Sequence, residues 1–224
     1  MKCLILIGTC SENPYPEFKD IGERTWNSID HDKIETAYYI GGGKNTWNGN
    51  TFECDCDESY MNQHIKFRLA LKAMLELDWE IMFRAGVTSY INKNLLYKRI
   101  QTLNRNYKGV YAGTLLGSEL PLFEFEGQQI KGDFLSGAGI FFCRKTAECL
   151  AEHIPDEVSV PEDMVIGHVL HRRGFYVSEA MQERVDVNDY SHKNAYHYRF
   201  HTDQRSEDLK RVKYIHDIIL IKNE

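Results

Sequence analysis

Five consecutive apolar residues, Cys3 to Ile7, open the chain and end at Gly8-Thr9-Cys10. An apolar run with no polar alternation predicts a strand buried on both faces that hands over to a loop. Thr36 to Ile40 is a second β-rich run, stopped by Gly41-Gly42-Gly43, where the backbone must turn or approach a neighbour closely. From Tyr60 to Leu77 the period changes. Met61, Ile65, Leu69 and Ala73, flanked by Phe67, Leu71 and Met74, recur every three to four positions with charges between them, which predicts an amphipathic helix. Trp79 to Phe83 predicts a strand, and Leu95, Leu96, Ile100 and Leu103 stripe a further helix.

Short strands are predicted at Gly109 to Gly113 and at Gly139 to Cys143, the latter entered through Ser136-Gly137-Ala138. Ala147, Leu150 and Ala151 place a helix over Arg144 to Ile154. Pro161 suits a helical first turn, Glu162 and Asp163 complement its positive end, and Gly174 stops it. Phe175 to Val177 is read as a strand, and Asp203 to Ile221 as a closing amphipathic helix. Strands alternating with helices predict an α/β fold with a mostly parallel central sheet flanked by helices. With no repeat or linker in 224 residues, one domain is expected, a core over 1–178 with a tail and closing helix over 179–224.

Composition narrows the function. Hydrophobic residues at 42% and charged residues at 27% exclude disorder, collagen and coiled coil. A net charge of −6 repels phosphate backbones and anionic lipid, so nucleic acid is not an expected partner. The six cysteines are too few for a disulfide scaffold and are expected as reduced thiols. The first apolar run is shorter than a signal-peptide core and no run approaches the ~18 residues of a membrane span, so a cytoplasmic protein is expected.

Two clusters invite a metal reading. Asp55-Cys56-Asp57 is a D-x-D, yet acids before a long helix also serve as a solvated loop and cap. His192, His197 and His201 could ligate zinc, although tail histidines are more often plain surface residues. Gly41 to Gly43 lacks the spacing of a dinucleotide loop.

Several separated segments, in order, resemble the inverting β-1,3-glycosyltransferases of glycosyltransferase family 31 and the related Fringe enzymes. Ile21-Gly22-Glu23-Arg24-Thr25-Trp26 resembles I-R-x-T-W, and Tyr39-Ile40-Gly41 resembles F-x-L-G. Glu58-Ser59-Tyr60-Met61-Asn62-Gln63-His64-Ile65-Lys66 is similar to D-S-Y-x-N-L-T-x-K, Ser136 to Ile140 to S-G-x-G-Y, and Pro161 to Gly167 to the E-D-V-x-x-G segment. The resemblance covers about Cys3 to Tyr176. It departs at K-T-D-D-D-x-F-V-N, whose D-x-D binds manganese: here Arg84-Ala85-Gly86-Val87-Thr88-Ser89-Tyr90-Ile91-Asn92 keeps the frame and has no carboxylate.

The resemblance implies a GT-A-like fold and inverting transfer of a sugar from a nucleotide-sugar donor, a UDP-sugar foremost, to a glycan hydroxyl. It implies Asp163 as the base, although a helix-start acid interacting with the macrodipole is the plain alternative. It places the donor against Thr9, Cys10, Arg24, Lys66, Arg84, Ala85, Gly86 and Thr88, and the acceptor against Ser136, Gly137, Ala138 and Glu162. Thr9 and Cys10 follow the first strand, where open α/β sheets bind ligands. Arg84, Lys66, His197 and Arg199 are the expected cations for the leaving group, because cations can replace a metal on phosphate oxygens. No cofactor is expected, and the missing carboxylates argue against Mn2+ or Mg2+. Two alternatives stay open: a non-catalytic sugar-binding relative, and a metal-dependent hydrolase built on Asp55, Asp57 and the tail histidines. Family members carry a membrane anchor and this chain shows none, which points to a bacterial, phage or viral glycan pathway.

Overall fold

A computed structural model of the protein describes residues 1–103, 109–115, 123–125, 128–130, 134–158, 160–180, 184–186 and 195–221. In chain order the elements begin with β1 (Cys3–Gly8), α1 (Tyr15–Arg24), β2 (Ile34–Ile40), β3 (Thr46–Asn48), β4 (Thr51–Glu53) and α2 (Gln63–Met74). They continue with β5 (Ile81–Gly86), β6 (Ser89–Ile91), α3 (Lys93–Thr102), β7 (Tyr111–Leu115), β8 (Phe123–Phe125), β9 (Gln128–Ile130) and β10 (Leu135–Cys143). The last are α4 (Arg144–His153), α5 (Glu162–Arg172), β11 (Glu179–Ala180), β12 (Arg184–Asp186), β13 (His197–Arg199) and α6 (Arg205–Ile221).

Eight strands form the main sheet in the order β11-β7-β10-β5-β1-β2-β4-β3. β1 pairs in parallel with β2 on one side and β5 on the other, which is why its run is apolar throughout. Its side chains alternate between two cores. Cys3, Ile5 and Ile7 pack with Phe18 of α1, Leu96 and Ile100 of α3, and Val212 and Ile215 of α6. Leu4 and Leu6 face Phe67, Leu71 and Met74 of α2, Leu150 of α4, and Ile166 and Leu170 of α5. Each such burial contributes roughly 1.5–3 kcal/mol, which exceeds any difference in helix propensity and fixes each helix to its face of the sheet.

The expected elements are present, with corrections. Phe175 to Val177 is not a strand; the backbone joins the sheet later, at β11, parallel to β7. α1, the β3–β4 hairpin, β6 and β13 were not expected. The close approach expected at the glycine run is found at Gly43, where a Cβ would overlap Glu53. The tail is built into the body of the fold: β13 pairs antiparallel with β6, and α6 packs on α1 and β6. Among the described residues no helix is long and apolar enough to cross a membrane.

At the carboxyl ends of β1 and β5, Gly8 lies opposite Gly86. β10 runs the other way, so its first residues reach the same edge, and its register on β7 shifts between Leu135 and Ile140. That irregularity turns Ser136-Gly137-Ala138 out of the ladder towards the edge.

Candidate functional site

A cleft of about 700 Å3 opens over these strand ends. Its walls come from the loop after β1 (Thr9, Cys10, Glu12), the end of β5 and the turn beyond (Gly86, Val87, Thr88), and the start of β10 (Ser136, Gly137, Ala138). The approach to α2 gives Glu58, Ser59, Tyr60, Gln63 and Lys66, the first turn of α5 gives Glu162 and Asp163, and the C-terminal segment gives Arg199, His201 and Arg205.

The floor is an ion pair. Arg84 projects from β5 and is 6% exposed; its guanidinium donates to Glu162, to the Gly137 carbonyl and to the Tyr39 hydroxyl at 3.2 Å, and lies 5.5 Å from the Phe67 ring centroid. Burial disfavours its charge, but Glu162 and Tyr39 outweigh that and hold the guanidinium protonated. Burial, with Asp163 beside it, pushes the Glu162 carboxyl up against the pull of Arg84. A Cβ on Gly137 would sit 2.8 Å from the Arg84 guanidinium, so a side chain there would have to displace that cation from its contacts.

Lys66 is equally committed. Its Nζ donates to the Thr9 carbonyl at 2.9 Å and to Glu58 Oε1 at 3.3 Å. Glu58 also accepts from the backbone N–H of Gly41 at 2.6 Å and of Ser11. Burial opposes ionisation of Glu58, but those two N–H groups and Lys66 overcome it and hold the carboxyl below its ordinary value. This pair ties the loop after β1 to α2 and shapes the cleft wall.

Asp163 differs from both buried acids. It is half-buried at the positive end of α5, accepts weakly from Gly137 N–H at 3.4 Å and from Met164 N–H at 3.1 Å, and among the described residues no cationic side chain bonds it. Glu12 shares that lack of a bonded cation, but of the two only Asp163 sits at a helix start beside the Gly137 turn.

Most residues expected from the sequence meet here: Thr9, Cys10, Lys66, Arg84, Gly86, Thr88, Ser136, Gly137, Ala138, Glu162, Asp163 and Arg199 line one cleft. Three do not. Arg24 is exposed on the outer face of α1 and pairs with Asp20. Ala85 is fully buried and points to the opposite face of β5 from Arg84, as the two-residue period of a strand requires. His197 is buried behind the cleft, bonded to Ser89 at 2.9 Å and packed edge-on against Phe83, and the cleft lining does not include it. The carboxylates of Asp55 and Asp57 are exposed in the loop after β4, and His192 lies outside the described residues. Among the described residues Asp55, Asp57, His197 and His201 form no metal-holding group, so the hydrolase constellation is not assembled there. Sequence reading did not place Glu58, Tyr39 or Arg205 in the site, although Glu58 and Tyr39 each open a matched motif; His201, read there as a possible zinc ligand, lines the cleft with them.

At the end of β5 Gly86, Val87 and Thr88 bring no carboxylate to the cleft, and Glu58 and Glu162 are each bonded to a cation, which leaves Glu12 and Asp163 as its other acids. Among the described residues no group of three or more His, Cys, Asp or Glu could hold a metal ion.

No protein-family model matches the chain, and no curated protein matches it. Solved structures do. The crystal structure of a glycosyltransferase involved in the glycosylation of the major capsid of PBCV-1 superposes with a TM-score of 0.62 over 96% of this chain and 100% of that one, at 12% identity. The 4-diphosphocytidyl-2C-methyl-D-erythritol synthase of Anaerococcus prevotii DSM 20548 gives 0.50 over 95% of both chains, at 15% identity. At such identities the likeness shows the fold, a GT-A-like α/β fold of the kind nucleotide-sugar transferases use.

Proposed function

We propose that this chain is a nucleotide-sugar-dependent glycosyltransferase, folded as one domain, that moves a sugar with inversion from a UDP-sugar or related donor to a glycan hydroxyl. One observation carries the reading: in a GT-A-like sheet, at the edge formed by Gly8 and Gly86, a half-buried carboxylate with no bonded cation among the described residues, Asp163, opens into a ligand-sized cleft. In this reading Asp163 takes the proton of the acceptor hydroxyl as that oxygen bonds to the anomeric carbon. The bond to the β-phosphate breaks on the opposite side and the nucleoside diphosphate leaves with the electron pair. Gly137 and Ala138 set the acceptor against Asp163, while Thr9, Cys10 and Gly86 receive the donor. The ordered motifs support a divergent relative of the family 31 enzymes, and the similar capsid-glycosylating enzyme supports a viral or bacterial glycan pathway.

Because the strand end brings no carboxylates, transfer needs little or no divalent metal. A second reading, a non-catalytic sugar-binding protein, is favoured by one observation: Lys66 and Arg84 are both neutralised inside the site. Release of nucleoside diphosphate from a panel of nucleotide sugars, with glycan acceptors and with chelator or manganese, separates them. Turnover that survives chelator supports the transferase; donor binding with no turnover in any condition supports the sugar-binding protein. Turnover only with manganese contradicts metal independence.

A further inference from the structure

The turn beside Asp163 is fastened by side chains. The pairing of β10 with β5 begins at Gly139, so Ser136-Gly137-Ala138 lies before the regular ladder. Ala138 N–H donates to Ser136 Oγ at 3.4 Å, Gly137 N–H donates to Asp163 Oδ2 at 3.4 Å, and the Gly137 carbonyl accepts from the Arg84 guanidinium.

Arg84 takes hold on both sides of that acid. Its Nη1 donates to the carbonyl of Gly137, the residue whose N–H faces Asp163, and its Nη2 donates to Glu162, which precedes Asp163 in the chain. A Cβ on Gly137 would lie 2.8 Å from the guanidinium and 3.5 Å from Asp163 Cβ, so this residue stands between the two. The guanidinium is itself fixed by the Tyr39 hydroxyl, which accepts from Nε at 3.3 Å and from Nη2 at 3.2 Å. A planar fork holds several acceptors in set directions at once, which an ammonium on a flexible stem does not.

These contacts leave Arg84 little to offer a ligand. The side chain is buried in the cleft floor, and the equally buried carboxylate of Glu162 matches its charge. Asp163, by contrast, is half-buried and lines the open cleft. Arg84 thus bears on the cleft chemistry through the groups it grips.

We infer that Arg84 is a positioning residue: it fixes the Gly137 turn and the start of α5 so that Asp163 is aimed at the acceptor hydroxyl, and it is not a cation for the donor phosphates. The inference rests on the glycosyltransferase reading, in which Asp163 is the base, and it replaces the task that the motif resemblance implies for Arg84. A reacting group misplaced by about 1 Å can cost roughly 10²-fold in rate, so a residue that touches no substrate can still govern turnover.

A double-mutant cycle on the full chain tests it. Arg84→Lys keeps a positive charge opposite Glu162 and removes the fork. With the nucleotide sugar that the native chain turns over fastest, this variant lowers kcat by about tenfold or more and leaves UDP affinity, read by calorimetry, within about twofold. On the Asp163→Asn background the same change lowers the residual turnover by less than about twofold, because the base it positions is already gone. An equal loss of kcat on both backgrounds, or a UDP affinity that falls by about tenfold, overturns the inference and leaves the transferase reading standing. Arg84→Met with Glu162→Gln removes the pair as a unit and takes the place of Arg84→Lys in the cycle if the latter does not fold. If the native chain turns over no nucleotide sugar, the transferase reading falls and the NMR shift of the Gly137 amide decides the positioning. A shift that Asp163→Asn moves in the native chain and not in Arg84→Lys supports it; a shift moved equally in both, or in neither, overturns it.

Discussion

Asp163, Glu162 and Glu58 are three acids at one edge with three different fates, and the fates follow from their partners. Asp163→Asn keeps the size and removes the proton acceptor, so turnover falls by roughly 10²–10⁴ with KM and melting temperature little changed; a steady-state assay beside thermal unfolding reads both. Arg84→Ala instead leaves Glu162 buried without its cation, and costs about 3–5 kcal/mol in denaturant unfolding. Adding Glu162→Gln recovers much of that loss, because no uncompensated carboxyl remains. The deficit of the single variant widens as pH rises, since an isolated Glu162, its carboxyl already pushed up by burial, resists ionisation. Glu58 has the opposite sign. Its folded carboxyl is held below its ordinary value, so its contribution is present at neutral pH and lost as pH falls through the acid range. Glu58→Gln lowers the neutral denaturant midpoint and flattens its acid dependence; an unchanged acid limb would show that the contacts with Ser11, Gly41 and Lys66 carry no stability.

At the scale of elements, glycines separate framework from site. In β7 a Cβ on Gly113 would sit 2.7 Å from the Gly139 carbonyl oxygen, a backbone atom of the neighbouring strand, whereas a Cβ on Gly86 meets nothing within 4 Å. Gly113→Ala therefore costs about 1–3 kcal/mol by forcing β7 and β10 apart, and Gly86→Ala costs far less; equal effects in thermal unfolding would contradict the packing described. The elements legible in the sequence were those whose pattern has one cause: β1 is a continuous apolar run because both its faces are covered, and α2 repeats every three to four residues because one face is. α1 was hidden because only Phe18 and Gly22 of its ten residues are buried. β13 was hidden because the stretch from Tyr196 to His201 alternates aromatic with basic residues, and tertiary contacts alone decide that His197 is buried while Arg199 reaches the cleft. The order of motifs brought Asp163, Lys66 and the Ser136 to Ala138 turn to one place, but the strand expected to stop at Phe83 runs to Gly86, and its two-residue period turns Ala85 away from Arg84.

For the whole molecule, net charge concealed the site. A chain at −6 predicts no affinity for phosphate, yet the fold brings Lys66, Arg84, Arg199 and Arg205 to the lining of one cleft. The central claim is that the cleft over Gly8 and Gly86 receives a nucleotide-sugar donor. The most direct test is binding of a nucleotide-sugar panel, in chelator, to the native chain and to Gly86→Leu, whose side chain enters open cleft space and leaves the core untouched. The account predicts that at least one donor binds the native chain with one-to-one stoichiometry and that Gly86→Leu, equally stable to heat, binds it at least tenfold more weakly; no binding across the panel, or equal binding to the variant, would contradict it.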